Sequence, residues 1–394
     1  MDKPLKLVIA GGKTGGHLFP GIAVAQAVQQ VRPDTQIRFV GTNAPFETRT
    51  LEEYGYPHTA IGARPIKGKG LVEKAKAAAA VGLSTSQALV ILLGFRPDFV
   101  LGVGGFSSFS VVLAARILGI PTAIQEQNAF PGITNRMLAK FTRTIFTGFE
   151  ETRGFSQLPN TVFTGNPVRL AGPGQPLTTG DTAQTEDALP DREREALLPG
   201  SKAGDFILLV TGGSQGAASI NQALVDALPR LSQMENLYVV HQTGTRDQDE
   251  VKAQYRNMGI RSRVADFFQD MPAIQDQAHL VICRSGAGTV SELCLKGLPA
   301  VLIPFPHAAD DHQNWNAKAM EAQGAARRIL DNELSGRAIG EIIMELKADH
   351  SLRQAMAEKA EQMGMPHSAQ TIAQHIINSR NGSQEGKEAL HVSN

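Results

Sequence analysis

The strongest constraint on the fold is a supersecondary unit that occurs twice. Leu7-Val8-Ile9-Ala10 reads as a short buried strand, Gly11-Gly12-Lys13-Thr14-Gly15-Gly16 as a tight loop, and Ala23 to Val31 as a helix with apolar residues at helical spacing. Roughly two hundred residues later, Phe206-Ile207-Leu208-Leu209-Val210 leads into Gly212-Gly213-Ser214-Gln215-Gly216 and a helical stripe of Ile220, Leu224, Val225 and Leu228. Further strand candidates alternate with helices in both halves: 37–40, 99–103, 122–125 and 144–146, then 237–241, 280–283 and 300–303. Such alternation implies parallel strands joined by helical crossovers, with helices on both faces of each sheet. The expected fold class is therefore α/β, two Rossmann-like doubly wound parallel-sheet domains, which would make a cleft if they face each other. Ligands of open sheets sit beyond the carboxyl ends of the strands, where the glycine loops are.

A chain of 394 residues suits two domains of about 150 residues each better than one. The segment 171–204 is rich in Gly, Pro, Thr, Asp and Glu, has no sustained apolar period, and reads as a linker or mobile insertion. The expected domains are thus 1–170 and 205–380, followed by a polar tail of 381–394, with the final helices placed to pack back on the first domain. Hydrophobic residues are 42% of the chain and charged residues 19%, which excludes general disorder. Lys plus Arg and Asp plus Glu are 38 each, so no global basic field recruits nucleic acid, and any anion must be held locally. Cys283 and Cys294 lack the spacing of a disulfide framework or a structural zinc. Residues 7–10 are too short an apolar run for a signal-peptide core. The region 77–95 is broken by Gly82 and by Ser84-Thr85-Ser86-Gln87, so it is expected to fall short of the ~20 clean residues of a spanning helix.

Gly12-Lys13-Thr14 looks like the end of a Walker A loop, but Leu7 stands where that motif needs its first glycine. A dinucleotide fingerprint fails as well: GxGxxG spacing is missing from 11–16, and Arg38-Phe39-Val40-Gly41-Thr42 lacks the ribose-binding carboxylate. What remains is general. Glycines let a loop approach a ligand closely, and open amides at a helix start attract phosphate. Gly213, Ser214 and Gln215 suit that role, as does the segment Cys283-Arg284-Ser285-Gly286-Ala287-Gly288-Thr289 opening a helix; two such sites suit a diphosphate. Tight packing of strand on helix explains a single glycine turn equally well. Glu292, early in the second of these helices, could accept hydrogen bonds from a ribose or simply complement the helix dipole. His312 and Gln313 lie in a polar cluster from His307 to Asn316 suited to sugar hydroxyls, or to a solvated loop. His17 follows Gly15-Gly16 near a helix start, where the positive helix end disfavours imidazolium and favours a neutral ring able to take a proton. Arg64, Lys67, Lys69, Lys74 and Lys76, beside Ile66, Leu71 and Val72, could rest on an anionic bilayer or form a solvated basic loop.

Together these motifs resemble the MurG family of bacterial N-acetylglucosaminyltransferases. The resemblance runs from Leu7 to about Leu330 on Gly11 to Pro20, Gly102-Val103-Gly104-Gly105-Phe106, Glu126-Gln127-Asn128, Gly165-Asn166-Pro167-Val168-Arg169, Gly212 to Ala217, Cys283 to Ala287, and His312-Gln313 with Asn316. Lys13, Phe106 and Ser107 to Ser110 depart from the family's usual pattern. The resemblance implies the two-domain GT-B architecture and transfer of N-acetylglucosamine from UDP-GlcNAc to undecaprenyl-diphospho-MurNAc-pentapeptide (lipid I), giving lipid II. It implies a first domain facing the acceptor and the membrane, with His17 as catalytic base and Thr14, Gly15, Gly16 and Asn128 beside the acceptor. It implies a second domain in which Gly213, Ser214, Gln215, Ala287, Gly288 and Thr289 hold the diphosphate. There Phe268 would meet uracil through its backbone, Glu292 the ribose, and His312 and Gln313 the sugar, with Arg169 reaching the nucleotide from the hinge. No cofactor and no metal is implied. The implied partners are the two substrates, the cytoplasmic face of the bacterial inner membrane as a peripheral surface, and other cell-wall synthesis proteins, with no nucleic acid. A diacylglycerol glycosyltransferase, a UDP-GlcNAc 2-epimerase of the same architecture, or a non-catalytic sugar-nucleotide sensor are the rival readings.

Overall fold

The computed structural model describes residues 3–12, 14–63, 71–168 and 190–391. The chain divides into two compact units, Met1–Gly180 with Met365–Asn394, and Asp181–Gly364. The first unit runs β1 (Lys6–Ala10), α1 (Gly15–Val31), β2 (Gln36–Gly41), α2 (Pro45–Glu53), β3 (His58–Ala60), α3 (Leu71–Phe95), β4 (Phe99–Gly102), α4 (Phe106–Ile117), β5 (Thr122–Glu126), α5 (Ile133–Leu138), β6 (Thr144–Thr147) and β7 (Thr161–Phe163). Its sheet is parallel, in the order β3-β2-β1-β4-β5-β6-β7. Leu7 sits in register with Ile37 on one side and Phe99 on the other. Both faces are covered, so the central strands are continuous apolar runs whose alternate residues supply two separate cores. Leu7, Ile9, Phe39 and Leu101 pack on one face with Ile22 of α1, while Val8, Val40, Val100 and Ile124 pack on the other with Val111 and Val112 of α4.

The second unit runs α6 (Asp191–Leu197), β8 (Phe206–Thr211), α7 (Ala218–Leu231), β9 (Leu237–Gln242), α8 (Gln248–Asn257), β10 (Ser262–Ala265), α9 (Met271–Gln277), β11 (Leu280–Cys283), α10 (Ala287–Leu295), β12 (Ala300–Leu302), α11 (His312–Ala322), β13 (Ala326–Arg328), α12 (Gly336–Ala348) and α13 (His350–Met363). Its parallel sheet has the order β10-β9-β8-β11-β12-β13. Ile220, Leu224 and Leu228 bury the stripe of α7 against Leu208, Val210 and Val239, with Ile339 and Ile343 of α12.

Three sequence expectations need correction. The stretch 190–204 is not a linker: α6 occupies part of it, the Tyr238 hydroxyl donates to the Pro199 carbonyl at 2.7 Å, and Arg263 Nη1 donates to the Leu197 carbonyl at 2.7 Å. The remainder of that expected insertion, up to 189, lies outside the described residues. Up to His391 the expected polar tail continues the last helix, α14 (Ser368–His391), which no proline interrupts; 392–394 lie outside the described residues. Ala369, Ile372, Ala373 and Ile376 of α14 join the core of the first unit, so the second unit ends at Gly364 and not at 380. Finally, α3 runs unbroken through Gly82 and Ser84 to Gln87. Ser84 Oγ donates to the Ala80 carbonyl at 2.9 Å and Ser86 Oγ to the Gly82 carbonyl at 2.9 Å, so these hydroxyls are satisfied along the helix itself. By length and composition alone, Lys76–Phe95 is long and apolar enough to cross a membrane. One face of it, with Ser84, Ala88 and Leu92, is buried against the unit, while Leu83, Val90 and Leu93 on the other are 62%, 71% and 59% exposed.

Candidate functional site

In the first unit the strand order reverses between β1 and β4, and the loops after these strands press together. Gly11 has φ +119°, and a Cβ there would stand 2.1 Å from the Gly104 carbonyl oxygen, so only glycine fits. Gly104 in turn closes on the ring of His17, 2.8 Å separating its would-be Cβ from Nδ1. His17 lies in the first turn of α1, its backbone N–H donating to the Thr14 carbonyl at 3.0 Å. Its Nδ1 lies 3.0 Å from Oε1 of Gln127, just past β5. Gln127 is buried; its Nε2 donates to the Val103 carbonyl at 2.9 Å and to Oε1 of Gln125, whose own Nε2 donates to Asn166 Oδ1 at 3.2 Å. The adjacent carboxylate, Glu126, is equally buried and accepts from the Asn128 N–H (3.0 Å), Asn128 Nδ2 (3.1 Å), the Gly132 N–H (3.0 Å) and Asn135 Nδ2 (2.9 Å). Four donors make Glu126 the organiser of the β5–α5 loop and hold Asn128 in place.

The second unit presents backbone where the first presents side chains. Gly213, Ser214 and Gln215 are exposed at the end of β8, and the loop rests on the segment after β9. A Cβ on Gly216 (φ +71°) would lie 1.9 Å from the Thr243 carbonyl oxygen, and one on Gly244 2.4 Å from that of Gln215. Gln242 ties three loops together: Nε2 donates to the Gly213 carbonyl at 3.0 Å and to Thr211 Oγ1 at 3.2 Å, while Oε1 accepts the Phe268 N–H at 2.9 Å. Beside it lies a cavity of about 470 Å³ lined by Arg263, Ala265, Phe267, Phe268 and Asp270, among others. After β11, Gly286 precedes α10 and no side chain caps the helix, so its first amides remain available to an anion. Ala287, Gly288 and Thr289 form that first turn, and Glu292 lies in the next. Ser285 Oγ donates to the Gln313 carbonyl at 2.8 Å, and Asn316 Nδ2 donates to the Ser285 carbonyl at 3.1 Å, stitching α10 to α11. Between β12 and α11, Asp310 and Asp311 hold φ of +51° and +55°, left-handed values that cost energy for non-glycine residues and concentrate at functional sites. Burial, with the charge of Glu292, pushes the Cys283 thiol up to about 12; burial does the same for Cys294, also about 12.

Residues 7–147 match the glycosyltransferase family 28 N-terminal domain, and residues 207–372 the glycosyltransferase family 28 C-terminal domain. A Pelobacter propionicus protein named UDP-N-acetylglucosamine–N-acetylmuramyl-(pentapeptide) pyrophosphoryl-undecaprenol N-acetylglucosamine transferase is 41% identical over 386 residues, 96% of this chain and 100% of the relative. The crystal structure of Acinetobacter baumannii MurG has a TM-score of 0.76 at 29% identity, covering 95% of this chain and 100% of that one. The chain belongs to the MurG family. Its two parallel-sheet units are those of the GT-B fold. A putative UDP-N-acetylglucosamine 2-epimerase from Listeria monocytogenes, at 14% identity and TM-score 0.61 over 94% of this chain and 95% of its own, shares the fold alone.

Within this MurG-family chain, Thr14, Gly15, Gly16, His17 and Asn128 gather at the carboxyl edge of the first sheet. Gly213, Ser214, Gln215, Phe268, Ala287, Gly288, Thr289, Glu292, His312 and Gln313 gather at that of the second. Arg169, Lys13 and the basic residues Arg64, Lys67 and Lys69 lie outside the described residues, as does the side chain of Lys74. Two expected contacts are narrowed. The Phe268 N–H is already held by Gln242, so a backbone contact from Phe268 to a base has to use its carbonyl. Gln313 Oε1 accepts the Phe305 N–H at 2.9 Å, which leaves its Nε2 for a sugar hydroxyl. His312 Nδ1 lies 2.7 Å from the Ala309 carbonyl, an acceptor, so Nδ1 carries the hydrogen. Asp247 and Asp249 have DxD spacing, but the Asp247 oxygens accept from Asn221 and Arg246, both at 2.8 Å. Among the described residues no group of three or more His, Cys, Asp or Glu side chains could hold a metal. The sequence reading gave Gln125 and Gln242 no site role, and named Gln127 only within the motif Glu126-Gln127-Asn128. Their one signal was polarity at the carboxyl end of an apolar, fully buried strand or just past it, where ligands bind.

Proposed function

We propose that this chain transfers N-acetylglucosamine from UDP-N-acetylglucosamine to the C4 hydroxyl of the muramoyl sugar of lipid I, giving lipid II. The observation that carries the reading is full-length similarity: 41% identity that spans 96% of this chain and 100% of a transferase named for that reaction. The reaction is an inverting displacement. The C4 oxygen attacks the anomeric carbon from the face opposite the diphosphate, its O–H bond breaks as the new C–O bond forms, and the proton passes to His17. The old anomeric C–O bond leaves with its electrons on UDP. Amides of Ser214 and Gln215 and of the α10 start, Ala287 to Thr289, meet the charge that develops on the departing diphosphate, while the Gly213 N–H is held by Thr211 Oγ1 at 3.2 Å. Glu292 takes the ribose, the Phe268 carbonyl the uracil, His312 and Gln313 the sugar hydroxyls, and Arg169 the nucleotide; Thr14, Gly15, Gly16 and Asn128 hold the acceptor.

The lipid acceptor calls for a membrane surface, and the exposed Leu83, Val90 and Leu93 of α3 are suited to peripheral contact with the cytoplasmic face of the inner membrane. The buried opposite face of α3 favours lying on the bilayer over crossing it. Radiolabelled UDP-N-acetylglucosamine incubated with lipid I, with diacylglycerol, or with no acceptor tests the function. Label in a lipid product with lipid I alone is expected; label on diacylglycerol, or turnover without acceptor, would contradict it.

A further inference from the structure

A histidine that takes a proton does so at one of two nitrogens, and the neighbour of the other nitrogen decides which. At His17 that neighbour is Gln127, and the direction of its amide follows from the partners behind it. Its Nε2 donates to the Val103 backbone carbonyl at 2.9 Å, and a carbonyl oxygen only accepts. The same Nε2 donates to Oε1 of Gln125, whose own Nε2 donates to Asn166 Oδ1 at 3.2 Å. Turning the Gln127 amide over would set its oxygen against two acceptors, the Val103 carbonyl and Gln125 Oε1. Its Oε1 therefore points to His17 Nδ1 at 3.0 Å, and an amide oxygen bonds that atom only if Nδ1 carries the hydrogen. On the other side, the bare backbone of Gly104 lies against the ring and leaves no room for a side chain.

We propose that Gln127 is a positioning residue that fixes neutral His17 with its hydrogen on Nδ1, so that the lone pair accepting the C4 proton is on Nε2. The proposal rests on the reading of His17 as base. A neutral amide does this without adding charge: it sets the tautomer and orientation, and the ring keeps the same Oε1 contact after it is protonated.

The test is nitrogen-15 NMR of the histidine-labelled full-length protein at alkaline pH, with His17→Ala assigning the resonance, alongside steady-state kinetics. The native ring is expected to give the Nδ1–H pattern. In Gln127→Met, which keeps length and removes the oxygen, the population should move toward the Nε2–H form, and kcat should fall roughly ten-fold or more at unchanged KM for UDP-N-acetylglucosamine. A native ring protonated on Nε2 would overturn the proposal whether or not the variant folds. A folded Gln127→Met protein that keeps the Nδ1–H pattern, or keeps its kcat, would overturn it too. Undiminished turnover in His17→Ala would overturn the base reading instead, and the native resonance pattern separates that failure from this one.

Discussion

The two glycine loops begin alike and are put to different use. After β1, the loop delivers a side chain: His17 is set in the first turn of α1, backed by Gln127, Gln125 and Asn166, while buried Glu126 braces Asn128. After β8, the loop delivers backbone: Gly213 to Gln215 are exposed, and α10 nearby opens with no side-chain cap. Under the proposed function, proton transfer belongs to the loop where a polar network directs an imidazole, and anion binding to the exposed loop near an uncapped helix start. The buried amides of Gln127 and Gln242 do the directing in the two units, each bridging loops that are distant in sequence.

The sharpest way to break this comparison is to add one methyl group to each loop. Gly11→Ala places a Cβ against the Gly104 carbonyl at a φ of +119°, and should destabilise the first unit by about 3 kcal/mol or more, read by chemical unfolding. Gly213→Ala meets nothing within 4 Å and bears only the backbone cost of φ +86°, about 1 kcal/mol. Equal losses would mean that the first loop is not the more tightly packed. A smaller effect sharpens the picture of the second unit. Burial pushes His241 down to about 3 from 6.5, and its ring bonds Tyr255 and Asn221. The unfolded chain binds a proton below about 6.5 that the folded chain refuses until about 3, so stability falls with falling pH across that window, by at most about 1.4 kcal/mol per pH unit. A His241→Gln protein should show a flatter pH profile in denaturant titrations. Smallest of all, Cys283 and Cys294, buried and held as thiols, should resist alkylation at neutral pH until the protein is unfolded.

The interior of both sheets is legible in the sequence because a strand covered on both faces must be apolar throughout, as in Leu7 to Ala10 and Phe206 to Val210. The strands that sequence reading passes over, β3, β7, β10 and β13, are the four sheet edges. They are three or four residues long and only partly buried, His58–Ala60 half-buried throughout, and therefore lack an apolar run to read. The glycine loops and His17 are visible as local patterns. The network that directs His17 is not, because Gln127 lies 110 positions away and only the pairing of β1 with β4 and of β4 with β5 brings it alongside. Gly82 and the serines of α3 mislead for a related reason: their helix-breaking tendency is overcome by hydroxyl bonds to the preceding turn and by packing against α4.

The division of labour between the two loops is tested most directly by turnover with lipid I and UDP calorimetry on one His17→Ala preparation. Turnover should fall roughly a hundred- to ten-thousand-fold while the heat and affinity of UDP binding stay as in the native protein. Undiminished turnover, or loss of UDP binding along with activity, would contradict the assignment of proton transfer to the first unit and nucleotide binding to the second.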